Sequence, residues 1–143
     1  MPERENVYSV AREWVVKAEN DLKAAAQILK LANECPTDTV CFHAQQCVEK
    51  YVKALLTVRG TDFPKTHDLE QLIALLPTRE KPRLNIVEHR RLTAYATGAR
   101  YPGSGIISLT EARRAVTIAR RVRREIRGHL PKPVLSKRSH LRS

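Results

Sequence analysis

The sequence predicts an all-α protein, an up-and-down bundle of four long helices with one short extra helix. Three observations predict it. Apolar residues recur at three- and four-residue steps over several separate stretches, which places them on one side of a 3.6-residue helix. No segment alternates with the period of two that a half-buried strand needs. Prolines and glycines fall between the periodic stretches, where they end helices and start turns. At 143 residues the chain is one domain by length, and folding can bury about two-thirds of the unfolded surface.

From about Val7 to Asn33, the residues Val10, Trp14, Val15, Ala18, Leu22, Ala25, Leu29 and Ala32 keep a helical period over about seven turns. Pro36 breaks this first helix, since it lacks a backbone donor and disfavours helix in the residue before it. The second helix, from about Asp38 to Arg59, carries Ala44, Val48, Tyr51, Val52, Leu55 and Leu56 on a core-facing side. On the same helix His43, Gln46, Lys50 and Lys53 form a separate polar stripe. Gly60 stands where a C-cap needs a left-handed residue, and Pro64 prevents continuation.

Thr66 or His67 is the expected cap of a short third helix from Asp68 to Leu76. Its face of Leu69, Leu72, Ile73 and Leu76 suits a lid across the end of the bundle. A fourth helix from Leu84 to Thr97 would bury Ile86, Val87, Leu92 and Tyr95. The glycine-rich stretch from Gly98 to Ile107 reads as a loop of the kind that often carries function. A fifth helix from Leu109 to about Arg127 packs Ala112, Ala115, Val116, Ala119, Val122 and Ile126, with Thr110 as its expected N-cap and Gly128 ending it. The folded bundle is therefore placed at residues 1–131. Residues 132–143 are read as a basic tail with too little apolar surface to fold by itself.

The formal net charge is +11, and it is unevenly placed. From Glu111 to Ser143 there are 11 Lys and Arg against 2 Asp and Glu, leaving +2 for the rest of the chain. Such an end suits phosphates of RNA or DNA, or an acidic partner protein; a solvated helix face with a disordered basic tail is the more frequent meaning of such a charge run. Cys35, Cys41 and Cys47 are odd in number and six residues apart, which fits neither a disulfide framework nor the close pairs of a zinc site, so no metal is expected. They read as reduced thiols, with Cys47 in the core. No apolar run is long enough to span a membrane, and MPERENVYSV is no signal peptide, so a cytoplasmic protein is expected. Walker-type glycine loops and Gly-x-Ser-x-Gly elbows are absent.

Three blocks carry a resemblance: FHAQQCVEKYVKALLTVRG from Phe42 to Gly60, FPKTHDLEQLIALL from Phe63 to Leu76, and ARYPG from Ala99 to Gly103. In order and spacing they resemble the HEPN family (higher eukaryotes and prokaryotes nucleotide-binding domains), over roughly Val7 to Leu130. The resemblance implies a helical bundle that pairs as a homodimer. It also implies a nucleotide-binding or interaction module that works beside a minimal nucleotidyltransferase in a two-component or toxin–antitoxin-like system, without a cofactor of its own. The Gly-Ser and Asp-x-Asp signature of the nucleotidyltransferase is missing here, so transfer chemistry would belong to the other chain.

HEPN ribonucleases use an Arg and a His with four to six residues between them, and a dimer brings two such pairs into one cleft. There the arginine holds the scissile phosphate and the histidine helps to activate the ribose 2'-hydroxyl without metal. Two stretches have that spacing, Arg83 to His89 and Arg124 to His129. A second set of candidates, for nucleotide binding, comprises His43, Gln46, Lys50, Lys53, Arg59, His67, Arg100 and Tyr101. In it Lys50 and Lys53 would neutralise a phosphate, Gln46 would read a base or ribose edge, and Tyr101 would stack on a base. Each also has a purely structural reading: His67 as a helix cap, Arg59 as a cation at a helix C-terminus, His43 as a packed surface or dimer-interface histidine, and Tyr101 with Pro102 as a turn. A plain nucleic-acid-binding protein using the fifth helix is the further alternative.

Overall fold

The structure, a computed structural model, describes residues 2–96 and 105–136. It comprises six α-helices: α1 (Pro2–Leu29), α2 (Thr37–Val58), α3 (Leu69–Ala74), α4 (Ile86–Ala96), α5 (Leu109–Arg127) and α6 (Lys132–Leu135). No strand occurs among the described residues. The all-α bundle expected from periodicity is therefore the fold.

The centre of the bundle is α2, which packs against α1, α3, α4 and α5. Its run from Ala44 to Leu56 is buried at every position except Lys50. A helix covered on all sides reads as a core helix, and α2 does so while still carrying Gln45, Gln46, Glu49 and Lys53 inside. Against it α1 lays Ala11, Val15, Ala18, Leu22 and Ala25, spaced at four and three residues. Three alanines in that stripe let the two backbones come close. The expected stripe is corrected at its ends: Ala11 is buried where Val10 was expected, and Val10 is 45% exposed. The α-helix also stops at Leu29, four residues before Asn33, because Ala32 adopts a left-handed φ of 51° within a 3₁₀ turn at Ala32–Glu34.

Each later boundary has a local cause. At the end of α2, Gly60 has φ 69°, and Thr61 N–H and Gly60 N–H bond back to the carbonyls of Leu56 and Thr57, a Schellman closure that only a left-handed residue permits. The cap of α3 is Asp68, whose carboxylate accepts from Gln71 N–H at 3.3 Å; Thr66 accepts from Asp68 N–H instead, and His67 caps nothing. A capping box sets the start of α4: Asn85 Oδ1 accepts from Glu88 N–H at 2.8 Å while Glu88 Oε1 accepts from Asn85 N–H at 3.0 Å. Ile86 and Val87 are therefore first-turn residues, more than half exposed, and the expectation that they enter the core is wrong. Ser108, not Thr110, caps α5, its Oγ accepting from Glu111 N–H at 3.0 Å.

The fifth helix matches its expected span, and its apolar face is buried from Ala112 to Ile126. Gly128 ends it in ordinary right-handed geometry, at φ −63°. The expected tail begins too early. Lys132–Leu135 form α6, which packs on α1 with Val134 buried, and Arg12 Nε donates to Pro133 O at 3.1 Å. Val134 and Leu135 supply the apolar surface that composition averaged over residues 132–143 conceals.

Candidate functional site

The polar stripe of α2 does not line an open cleft. Two carboxylates hold it. On α1, Asp21 accepts from His43 Nδ1 at 2.7 Å and from Lys50 Nζ at 2.6 Å. Within α2, the buried Glu49 accepts from Lys53 Nζ, Gln45 Nε2 and His67 Nδ1, each at 2.8 Å. Gln46 Nε2 donates to Gln45 Oε1 at 2.7 Å and so completes the chain of bonds. The Lys53 ammonium lies 5.3 Å from the Trp14 ring centroid and 5.9 Å from that of Phe63, a cation–π position on both rings. Burial by itself would push the Glu49 carboxyl up, but the bonds from Lys53, Gln45 and His67 bring it below the ordinary carboxylate value. It is an anion at neutral pH.

A third network joins three helices. Glu19 on α1 accepts from Arg123 through Nε at 2.7 Å and Nη2 at 3.0 Å, and from the Tyr51 hydroxyl. Arg127 donates to Tyr51 Oη at 3.1 Å. Burial pushes the Tyr51 phenol up, and acceptance by Glu19 pushes it further, so the hydroxyl keeps its proton. Arg59 belongs elsewhere. It forks onto Glu80 at 2.8 and 2.6 Å and reaches the His129 carbonyl at 3.2 Å, tying the turn after α2 to the end of α5. The bonds from Arg59 hold Glu80 below the usual carboxylate range.

The nucleotide-binding candidates therefore divide. His43 and Lys50 meet at Asp21, Gln46, Lys53 and His67 join through Glu49, and Arg59 stands with Glu80. Arg100 and Tyr101 lie outside the described residues. Sequence reasoning missed the four acceptors Glu19, Asp21, Glu49 and Glu80. A signal for two of them was present: Glu19 and Asp21 sit between Ala18 and Leu22, within the apolar stripe of α1.

Neither catalytic pair is joined within the chain. Arg83 is exposed and its Nε is 3.2 Å from Glu125 Oε2, while His89 sits on α4 with a buried Nδ1 that has no hydrogen-bond partner among the described residues. Arg124 is exposed on α5, and His129 is exposed in the turn beyond it. Of the lysines and arginines singled out in the sequence that the structure describes, Arg124 alone has no carboxylate partner. It lines a groove of about 870 Å³ bounded by α1, α5 and α6. Among the described residues no three His, Cys, Asp or Glu side chains are placed to hold a metal. Cys35, Cys41 and Cys47 form no disulfide among the described residues, and burial pushes the Cys47 thiol up, which makes it an inert core residue. No described helix is long and apolar enough to cross a membrane.

Comparison with known proteins adds three findings. The family model for the HEPN domain matches residues 11–129. Over 53 residues the chain is 47% identical to a protein of Methanocaldococcus jannaschii described as "Putative toxin MJ1304"; the match covers 37% of this chain and 33% of that protein's length. The crystal structure of TT1696 from Thermus thermophilus superposes with a TM-score of 0.67 at 25% identity, covering 84% of this chain and 98% of the other.

Proposed function

Because the chain belongs to the HEPN domain family, we propose that it is the HEPN half of a toxin–antitoxin-like pair. In this reading it is a homodimeric module that acts with a minimal nucleotidyltransferase chain and binds nucleotide or RNA in that assembly. The likeness to the M. jannaschii protein supports the toxin-like role. One geometric observation carries the choice of a binding module over a self-sufficient enzyme. Lys50, Lys53, Arg59 and Arg83 are each engaged by a carboxylate, which leaves Arg124 alone among the described candidate cations to serve a reaction. A phosphate at Lys50 or Lys53 would have to displace Asp21 or Glu49, so the α2 stripe holds the bundle together before it can bind anything. Exposed Ile86 and Val87 at the start of α4 support pairing with a second copy.

One observation favours a second reading, a metal-independent ribonuclease. Arg124 has no carboxylate partner among the described residues and His129 is exposed, so a two-fold dimer has a guanidinium and an imidazole to set around a phosphate.

An RNA-cleavage assay on purified protein with EDTA separates the two. The binding-module reading expects no cleavage by the folded dimer together with measurable binding of nucleotide or RNA. Cleavage that disappears in Arg124→Ala and His129→Ala, or in Arg83→Ala and His89→Ala, would establish the ribonuclease instead.

A further inference from the structure

Helices α1 and α5 run antiparallel along one side of the bundle. Arg12 bonds the Pro133 carbonyl, Glu19 bonds Arg123, and Lys23, Ala26 and Arg120 line the same groove. The floor of that groove is aliphatic, with Val15, Val16, Ala26, Val134 and Leu135 among the lining residues. Its walls carry six cationic side chains against one carboxylate, and that carboxylate, Glu19, is already occupied by Arg123 and Tyr51. Lys23 and Arg120 are exposed and have no partner among the described residues.

We propose that this groove docks an acidic amphipathic helix of a partner protein. From Arg12 to Ala26 the groove follows about 21 Å of α1, the length of a four-turn helix at ~1.5 Å per residue. An aliphatic floor receives apolar side chains at three- and four-residue spacing, and the cationic walls receive the carboxylates beside them. Other occupants fit less well. Bases of a single strand need flat platforms to stack on, and no aromatic residue lines the groove among the described residues. A second copy seated by a two-fold axis would set this positive patch against itself. The chain's own last residues, with Lys137, Arg138 and Arg142, carry the wrong charge. The inference stands on the groove alone and requires neither the RNA chemistry nor the nucleotidyltransferase proposed above.

The test uses a fluorescein-labelled peptide of about 14 residues, with leucines at helical spacing and glutamates opposite, titrated with the full-length protein by anisotropy. A scrambled peptide of the same composition and a single-stranded oligoribonucleotide of equal charge run beside it. The patterned peptide is expected to bind about tenfold tighter than the scrambled one, and to lose about tenfold in Lys23→Glu/Arg120→Glu, whose thermal unfolding and oligomeric state stay unchanged. Three results would overturn the proposal: equal binding of the two peptides, displacement of the patterned peptide by the RNA, or failure of the patterned peptide to bind. A change of oligomeric state in the double variant would overturn it too, since the groove would then be an interface between copies.

Discussion

Replacing Glu49 by Gln tests the buried network most directly. The change keeps the shape of the side chain and removes its charge. Glu49 is 3% and Lys53 10% exposed at the side chain, so in Glu49→Gln the Lys53 ammonium remains inside the bundle without a counter-charge. Removing one partner of a buried ion pair costs about 3–5 kcal/mol, because the remaining charge is desolvated and uncompensated. The introduced amide oxygen can still accept from Lys53 Nζ, which places the loss at the lower end of this range. A net loss of about 3 kcal/mol is expected, which for a chain of this length lowers Tm by roughly 10 °C. Urea unfolding followed by circular dichroism should show a lower midpoint with an unchanged slope. The double variant Glu49→Gln/Lys53→Met, with neither charge inside, should recover most of the loss. If Glu49→Gln unfolds within about 1 kcal/mol of the wild type, or the double variant is as unstable as the sum of the singles, the pair is not buried as described.

Acid should act on the same carboxylates. Glu19, Glu49, Glu80 and Glu88 all titrate below their ordinary value in the folded chain, so their contribution is present above the unfolded pKa of about 4.3 and is lost as pH falls through the folded values. Wild-type stability should therefore drop steeply below about pH 4, and less steeply in Glu49→Gln, as read from denaturant midpoints against pH. Val134→Ala removes two buried methyl groups from the α6 contact with α1 and should cost about 1.5 kcal/mol, while truncation after Pro131 should cost more. A truncated chain as stable as the intact one would show α6 to be dispensable. Ser108→Ala should destabilise by about 1 kcal/mol and Thr110→Ala by a few tenths, since only Ser108 caps α5; equal effects in thermal melts would contradict the assignment.

The helices were legible because their causes are local. Periodicity located α2 and α5 to within a residue or so, and Gly60 marked its turn because a left-handed cap has few alternatives in chemistry. The errors fall where a neighbour decides. Thr110 and Ser108 are both good caps two residues apart, and only the backbone path into the helix selects between them. Ile86 and Val87 look like core residues until the Asn85–Glu88 box fixes where α4 begins. The candidate site was legible as a stripe but not in its role. His43, Gln46, Lys50 and Lys53 share a face by spacing alone, whereas Asp21 and His67 come to that face from distant parts of the chain. Which of the candidate cations remain free is a tertiary fact, and among the described candidates it singled out Arg124.

The carboxylates also determine which way α2 can face. Its apolar residues are mostly small or branched aliphatics, and a core of valine, leucine and alanine would accept more than one rotation of a helix covered on all sides. Hydrogen bonds do not allow that freedom. Sliding α2 by one residue turns it by about 100° and would part His43 and Lys50 from Asp21, Tyr51 from Glu19 and Glu49 from His67 together. Asp21 and Glu49 would each then lie buried with at least one bond missing. The network thus works as a key, admitting one seating of the central helix among the close alternatives that hydrophobic packing leaves open.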